Sequence, residues 1–289
     1  MKRIRKAIIP VAGMGTRFLP ATKATPKEML PIVDIPSIQY IVDEAVKSGI
    51  EEILFVTSSY KNSIQDHFDR SYELEARLTK SNKMKQVDMI KDIPNMANFY
   101  YIRQGEPLGT GHAIRICEQF VAGEPFAVLY GDDIIKSEVP CLKQMIDIYE
   151  KYDCNVLCAV ELSDEEIPSK GILSYDNIET GKVNGLVEKP LLENAPSKYG
   201  TVGRYILKPE IFEELACIPQ VNGEYLLTDA MLDLMQRQDF YACKFVGDYH
   251  DIGNQFGYIK ANIAYGLDRE DIREKLTEYL NEIVEKSGE

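Results

Sequence analysis

The sequence predicts an α/β fold: a mostly parallel central sheet flanked by helices, laid down as one continuous domain with a smaller β-rich second half. Three observations carry that expectation. AIIPVA (7–12), the helical run IPSIQYIVDEAVKSG and EEILFVTS (51–58) make a strand–helix–strand unit, whose right-handed crossover joins parallel strands. Strands and helices then keep alternating along the chain. No repeat, low-complexity tract or flexible linker divides the 289 residues, a length that suits one large α/β domain or two small ones.

Each element has a reason in its residues. Ile38, Ile41, Val42, Ala45 and Val46 fall at helical spacing, with Ser37 as a candidate N-cap and Gly49 closing the helix. Residues 60–98 are polar, with few strong apolar faces, and read as a helical excursion over the surface. NFYYIRQ (98–104) reads as a strand, GHAIRICEQFV (111–121) as a helix, and PFAVLYGDD (125–133) as a strand ending in two aspartates. A helix near 140–151 leads into the strand NVLCAVEL (155–162). Strands at 171–175, 183–188, 200–207 and 240–246 then mix with helices at 209–217, 227–237 and 253–265. A last amphipathic helix begins near Asp268, which can cap it, with Ile272, Leu276, Tyr279, Leu280, Ile283 and Val284 on one stripe.

Composition excludes several classes. Lys and Arg number 33 against 46 Asp and Glu, a net charge of −13, so nucleic acid and anionic membranes are poor partners. A small anionic substrate would need a local basic site. The six cysteines make no metal-spacing motif and read as reduced and mostly buried, as in a cytoplasmic chain. The basic MKRIRK is followed by an apolar run too short for a signal peptide and broken by Pro10, and no stretch is long enough to span a membrane.

The first strand runs into GMGTRFLPATKATPKEMLPI (13–32). A P-loop would need Gly-Lys-Ser/Thr, but Gly15 is followed by Thr16 and Arg17; a dinucleotide fingerprint would need a third glycine where Phe18 stands. Both also need a helix to start at once, which Pro20, Pro26 and Pro31 forbid. The loop is expected to stay extended along its ligand. Its glycines let backbone N–H groups come close, and Arg17, Lys23 and Lys27 supply charge suited to a triphosphate.

This string resembles the signature loop of the sugar-nucleotide nucleotidylyltransferases (pyrophosphorylases). FLPATK and PKEMLPI are most similar to the branch of bacterial UTP–glucose-1-phosphate uridylyltransferases. The resemblance covers nearly the whole chain, because RQGEPLGTGHAI (103–114), FAVLYGDDI (126–134), GLVEKP (185–190), GTVGRYIL (200–207), GEYLLTDAM (223–231) and YHDIGNQFGYIKA (249–261) follow in the family's order. It implies a Rossmann-like mixed, mostly parallel sheet of the nucleotide-diphospho-sugar transferase type. The nucleotide-binding half would span about 1–135, the sugar-binding half about 136–252, and C-terminal helices about 253–289.

The reaction implied joins UTP and glucose 1-phosphate to give UDP-glucose and pyrophosphate, with Mg²⁺. The sugar phosphate is already an anion near neutral pH, so no general base is needed, and catalysis is positioning plus charge neutralisation. The chain fits, with three histidines and no triad, but with cations and strand-end carboxylates. Two adjacent residues on an extended segment point opposite ways, so one of Asp132 and Asp133 faces the ligand. By resemblance that one is Asp132, and Asp251 is the second metal carboxylate. Arg17, Lys27 and Lys189 are the catalytic cations. Lys189 pairs with the sugar phosphate, Glu188 accepts from glucose hydroxyls, and Gly171 and Gly203 let backbone close on the sugar. Gln104 would donate to uracil O4 and accept from N3–H, with Gly109 letting the ring lie against the backbone. Ala12, Gly13, Gly15, Thr16 and Glu28 complete the nucleotide side, and relatives commonly form homodimers or homotetramers.

Three departures stand out. GEYLLTDA replaces the usual GEIQLTDA, Lys170 rather than an aromatic residue precedes Gly171, and a lysine often found after the Gln104 strand is absent. They bear on sugar selectivity and subunit contacts rather than on the type of reaction. His112 reads as a capping or packing residue, and His250 either orients Asp251 or sits in an exposed loop. The alternatives are a thymidylyltransferase or another sugar specificity, and a non-catalytic sugar-nucleotide-binding subunit. A nicotinamide-dependent dehydrogenase fails on the missing glycine and the prolines.

Overall fold

The computed structural model describes residues 2–287. In chain order the strands are β1 (Lys6–Pro10), β2 (Pro31–Ile32), β3 (Ile35–Pro36), β4 (Glu52–Thr57), β5 (Asn98–Arg103), β6 (Phe126–Leu129), β7 (Asp133–Lys136), β8 (Asn155–Glu161), β9 (Gly171–Asn177), β10 (Lys182–Glu188), β11 (Tyr199–Leu207), β12 (Phe240–Lys244) and β13 (Asp248–Asp251). Nine of them form one sheet in the order β5-β4-β1-β6-β11-β8-β12-β10-β9. β7 and β13 pair apart from it, antiparallel, with Asp251 opposite Asp133.

The sheet is mixed, which corrects the mostly parallel expectation. Among the described residues, four of its strand pairings are parallel and five antiparallel. The first half behaves as the crossover argument requires: β5, β4, β1 and β6 all run parallel, linked by helical segments. The second half is built differently. β9 and β10 are joined by a short turn and pair antiparallel, and β11 runs antiparallel to both β6 and β8.

The sheet is covered on both faces, which is why β1 is apolar from Ala7 onwards. Ala7 and Ile9 belong to a core with the helices Ser37–Lys47 and Cys141–Tyr152. Ile8 faces the other core, with the helices Gly109–Arg115, Ile211–Cys217 and Leu227–Met235. Five cysteines are buried, Cys217 is exposed, and all six are free. No helix among the described residues is long and apolar enough to cross a membrane.

Several local expectations change. The opening loop is not extended: it folds into three successive 3-10 turns, Thr16–Phe18, Ala21–Lys23 and Lys27–Met29. Its prolines do bar an α-helix, but isolated turns need only one i→i+3 bond each. The strand at 125–133 ends at Leu129; the Tyr130 N–H makes a last bond to the Gly203 carbonyl of β11, and the chain then leaves the sheet for β7. Residues 109–121 form two short helices, Gly109–Arg115 and Glu118–Val121. Ser37 is inside its helix rather than capping it, and its hydroxyl donates to the Glu28 carbonyl at 3.0 Å. The last helix is Arg273–Ser287; Asp268 lies outside it, paired with Lys136 at 2.5 Å.

Candidate active site

A cavity of about 290 Å³ opens at the carboxyl ends of β1 and β6. Its lining brings together Ala12, Gly13, Lys27, Glu28, Gln104, Gly109 and Asp132, seven residues singled out in the sequence. Thr110, Tyr130 and Glu224 also line it. Gly15 makes the inward fold of the loop feasible. It has φ +65°, and a Cβ there would stand 3.1 Å from Lys27 Cβ. Thr22 donates its hydroxyl to the Gly15 carbonyl at 2.7 Å and locks that fold.

Lys27 Nζ lies 2.5 Å from Asp132 Oδ2. Burial works against the Lys27 ammonium, but the Asp132 charge overrides it and holds the pKa above the usual lysine value. Burial likewise opposes ionisation of Asp132, and Lys27 overrides it, so this carboxyl stays below the usual range. Glu28 is 1 % exposed and ion-pairs with the buried Lys61 at 2.6 Å. Burial raises the Glu28 pKa and lowers that of Lys61. Lys61 went unnoticed in the sequence because nothing local marks a lysine 33 positions away as the partner of a loop glutamate.

The two adjacent aspartates face different ways, as alternation requires. Asp133 is buried, accepts from the Gly203 N–H at 2.9 Å and takes the Tyr249 hydroxyl at 2.5 Å. Burial and then the neighbouring Asp132 charge raise its pKa. Beneath the turn lies a fully buried Arg204, which binds both Glu44 oxygens and donates to the carbonyls of Tyr130 (3.2 Å), Gly203 (3.1 Å) and Asp133 (2.6 Å). All five guanidinium N–H groups therefore have partners. Carbonyls on both sides of Asp132 are pinned to one rigid group.

Asp251 ends β13 and approaches Asp132 from the other side. A Cβ placed on Gly253 would lie 3.0 Å from Asp132 Oδ2 and 3.0 Å from Asp251 Oδ1. The two carboxylates thus converge on a gap that only glycine leaves open. Two carboxylate oxygens, with further positions for phosphate and water, fit an octahedral divalent ion such as Mg²⁺. Lys170 Nζ sits on the far oxygen, 3.0 Å from Asp251 Oδ2 and 2.9 Å from the Tyr249 hydroxyl. Burial opposes its charge, but Asp133 and Asp251 hold its pKa up. Arg17 reaches this edge from the opening loop, donating to the Gly253 carbonyl at 3.4 Å, while Thr16 is exposed beside it.

The sugar-side residues lie outside the cavity lining, at the open edge of β9 and β10. Glu188 pairs in register with Gly171, where a Cβ would stand 3.1 Å from Glu188 Oε2. Lys189 has φ +46°, a strained conformation for a lysine, and its N–H donates to the Lys170 carbonyl at 3.0 Å. Its side chain is exposed, with Nζ 3.5 Å from Glu188 Oε1.

Two glycines also have a steric reason within the fold. A Cβ on Gly203 would come 2.4 Å from Tyr130 Cβ and 2.5 Å from Asp133 Oδ2, so its bareness admits the aspartate turn. At Gly109, with φ +89°, a Cβ would meet the Tyr225 carbonyl at 2.6 Å; here the GEYL segment is what needs the space. The Gln104 amide nitrogen donates inward, to the Gly109 carbonyl and to His112 Nδ1, both at 3.1 Å, and is not free to donate to a base. His250 lies on β13 and is buried, so it is no exposed loop residue; neither ring nitrogen has a hydrogen-bond partner, and it does not hold Asp251.

A model of the nucleotidyl transferase family matches residues 6–266. Among curated proteins, the UTP–glucose-1-phosphate uridylyltransferase YngB of Bacillus subtilis is 46% identical over 288 residues, covering 99% of this chain and 97% of that one. A UTP-bound UDP-glucose pyrophosphorylase from Acinetobacter baumannii superposes with a TM-score of 0.89 at 36% identity, covering 96% of this chain and 99% of the other. A UDP-glucose pyrophosphorylase complexed with UDP-glucose gives 0.84 at 41% identity, covering 92% and 100%. The chain belongs to the nucleotidyl transferase family.

Proposed function

We propose that this member of the family is a UTP–glucose-1-phosphate uridylyltransferase, making UDP-glucose and pyrophosphate from UTP and glucose 1-phosphate. Full-length likeness to uridylyltransferases supports the reading. The observation that carries it is the convergence of Asp132 with Lys27, Gln104 and Gly109 in one cavity.

The uracil base lies at Gln104 and Gly109, and the triphosphate runs along the opening loop past Gly13, Gly15 and Thr16. Arg17 and Lys27 neutralise it as negative charge moves onto the leaving pyrophosphate. Glu188 accepts hydrogen bonds from sugar hydroxyls, and Lys189 holds the sugar phosphate in line with the α-phosphorus. Asp132 and Asp251 would hold Mg²⁺, which when bound neutralises phosphate charge and orients the reacting oxygens. A phosphate oxygen of the sugar forms the new bond to the α-phosphorus as the bond to pyrophosphate breaks, with no proton to remove. The exposed stripe of the last helix supports assembly with a second copy of the chain. The chain functions as one domain in the cytoplasm, where its substrates are soluble.

Pyrophosphate release, measured with Mg²⁺ across nucleoside triphosphates and sugar 1-phosphates, tests the reading. UTP with glucose 1-phosphate is expected to dominate. Equal turnover with dTTP would remove the uridylyl assignment, and no turnover with any pair would favour a binding subunit.

A further inference from the structure

We propose that His112 is a positioning residue for base selection: it fixes which end of the Gln104 amide faces the nucleobase, and so favours a base carrying N3–H over one with a bare N3. The inference rests on the reading that places the base at Gln104.

The argument starts from what each atom can do. The Gly109 carbonyl oxygen can only accept, so it is the Gln104 nitrogen that must face it, at 3.1 Å. That nitrogen has no lone pair to offer. His112 Nδ1, also 3.1 Å away, therefore accepts its second hydrogen, and the ring is the neutral tautomer protonated on Nε2. Both amide hydrogens are committed to protein. The end left for the cavity is the carbonyl oxygen Oε1, an acceptor. Uracil presents N3–H, a donor, to such an oxygen. Cytosine presents a bare N3, and two lone pairs would oppose each other. Turning the amide over to suit cytosine would set Oε1 against the Gly109 carbonyl and the bare His112 nitrogen together.

His112 is itself held. Its ring stacks on Tyr225 with centroids 6.4 Å apart and an interplanar angle of 29°. The Arg115 guanidinium lies over the other partner, 5.2 Å from the Tyr225 ring centre. The Tyr225 N–H and carbonyl are bonded to the Leu108 carbonyl and the Gly111 N–H, both at 2.8 Å. Burial, and then the Arg115 charge, lower the His112 pKa against the weaker pull of Glu106, which favours the neutral ring that the Gln104 hydrogen bond requires.

The test is kcat/KM for UTP and for CTP in wild type, His112→Leu, His112→Asn and Gln104→Ala, with thermal melts on each. Leucine removes the acceptor. The UTP-to-CTP ratio should then fall by about fivefold to tenfold, the scale of one lost hydrogen bond, through KM more than kcat. Asparagine returns an acceptor oxygen and should recover part of the ratio. An unchanged ratio in a folded His112→Leu protein, with the ratio collapsed in Gln104→Ala, would overturn the role of His112 alone. A ratio untouched by Gln104→Ala would overturn the base-site reading, and this inference with it.

Discussion

Lys27 Nζ and Asp132 Oδ2 are 2.5 Å apart, so the carboxylate best placed to hold a divalent ion is already neutralised by a lysine of the opening loop. If Asp132 holds Mg²⁺ as proposed, Lys27 and the ion compete for that oxygen. A triphosphate that draws Lys27 away should then tighten metal binding, coupling the two ligands.

Asp132→Asn should therefore reduce kcat by several orders of magnitude, as expected when a metal carboxylate worth about several kcal/mol of charge stabilisation is lost. The fold should survive, since Asp132 is partly exposed while Asp133 carries the buried bonds. Steady-state kinetics at saturating Mg²⁺, alongside Mn²⁺ titration followed by electron paramagnetic resonance, checks this. An unchanged kcat would leave Asp132 a purely structural role.

Lys170 repeats the arrangement on Asp251, at 3.0 Å. Lys170→Met opens the far oxygen and removes a cation from beside three aspartates. The affinity of the nucleotide-free protein for Mn²⁺ should rise by about tenfold, the effect of one nearby like charge in a half-buried site. Lys170→Arg, keeping the charge, should bind as wild type does. A Met variant that binds Mn²⁺ no better would show that the ammonium does not compete with the ion.

Arg204 and Glu44 make the opposite kind of pair, with side chains 0 % and 7 % exposed. Glu44→Gln leaves a buried guanidinium without its counter-charge, at a cost of about 3–5 kcal/mol. Denaturant titration should show that loss. Because the same guanidinium holds the carbonyls of Tyr130 and Asp133, kcat should fall as well, without a matching rise in KM for UTP. A stability loss with unaltered kcat would separate the pair from the Asp132 turn.

Much of this was legible in the sequence because it is local. The crossover around Ser37–Lys47 follows from apolar spacing, and the one inward aspartate follows from strand alternation. The antiparallel second half was missed because short apolar strands carry no mark of direction; β9 and β10 read alike whichever way they run. For another reason, Lys61 carried no mark of a site residue, Lys170 stood out only as the residue before Gly171, and Arg204 only as part of GTVGRYIL. Their partners lie 33, 81 and 160 positions away, and only the folded chain sets those charges opposite each other. His112 looked like a packing residue because its acceptor role depends on which way an amide eight positions earlier is turned.

The last helix shows where a legible pattern still lacked its partner. Ile272 and Leu276 pack towards Gly266, where a Cβ would come 2.7 Å from Leu276 Cδ2. Beyond that point the stripe is largely exposed: Tyr279 is 60 % and Val284 69 % exposed, and among the described residues none of Arg273–Ser287 is buried. Its own subunit therefore leaves most of the outer helix uncovered. Covering such side chains would gain up to ~1.5–3 kcal/mol for each large one fully buried. Deletion after Gly266 removes the stripe together with the surface pairs Lys136–Asp268 and Arg269–Asp34, which are worth about 0–1 kcal/mol each. Light scattering on the truncated protein should show a smaller assembly, while calorimetry shows UTP still bound, because no cavity-lining residue lies beyond Glu224. An unchanged assembly mass would mean that subunits meet through another face and that the stripe stays in solvent.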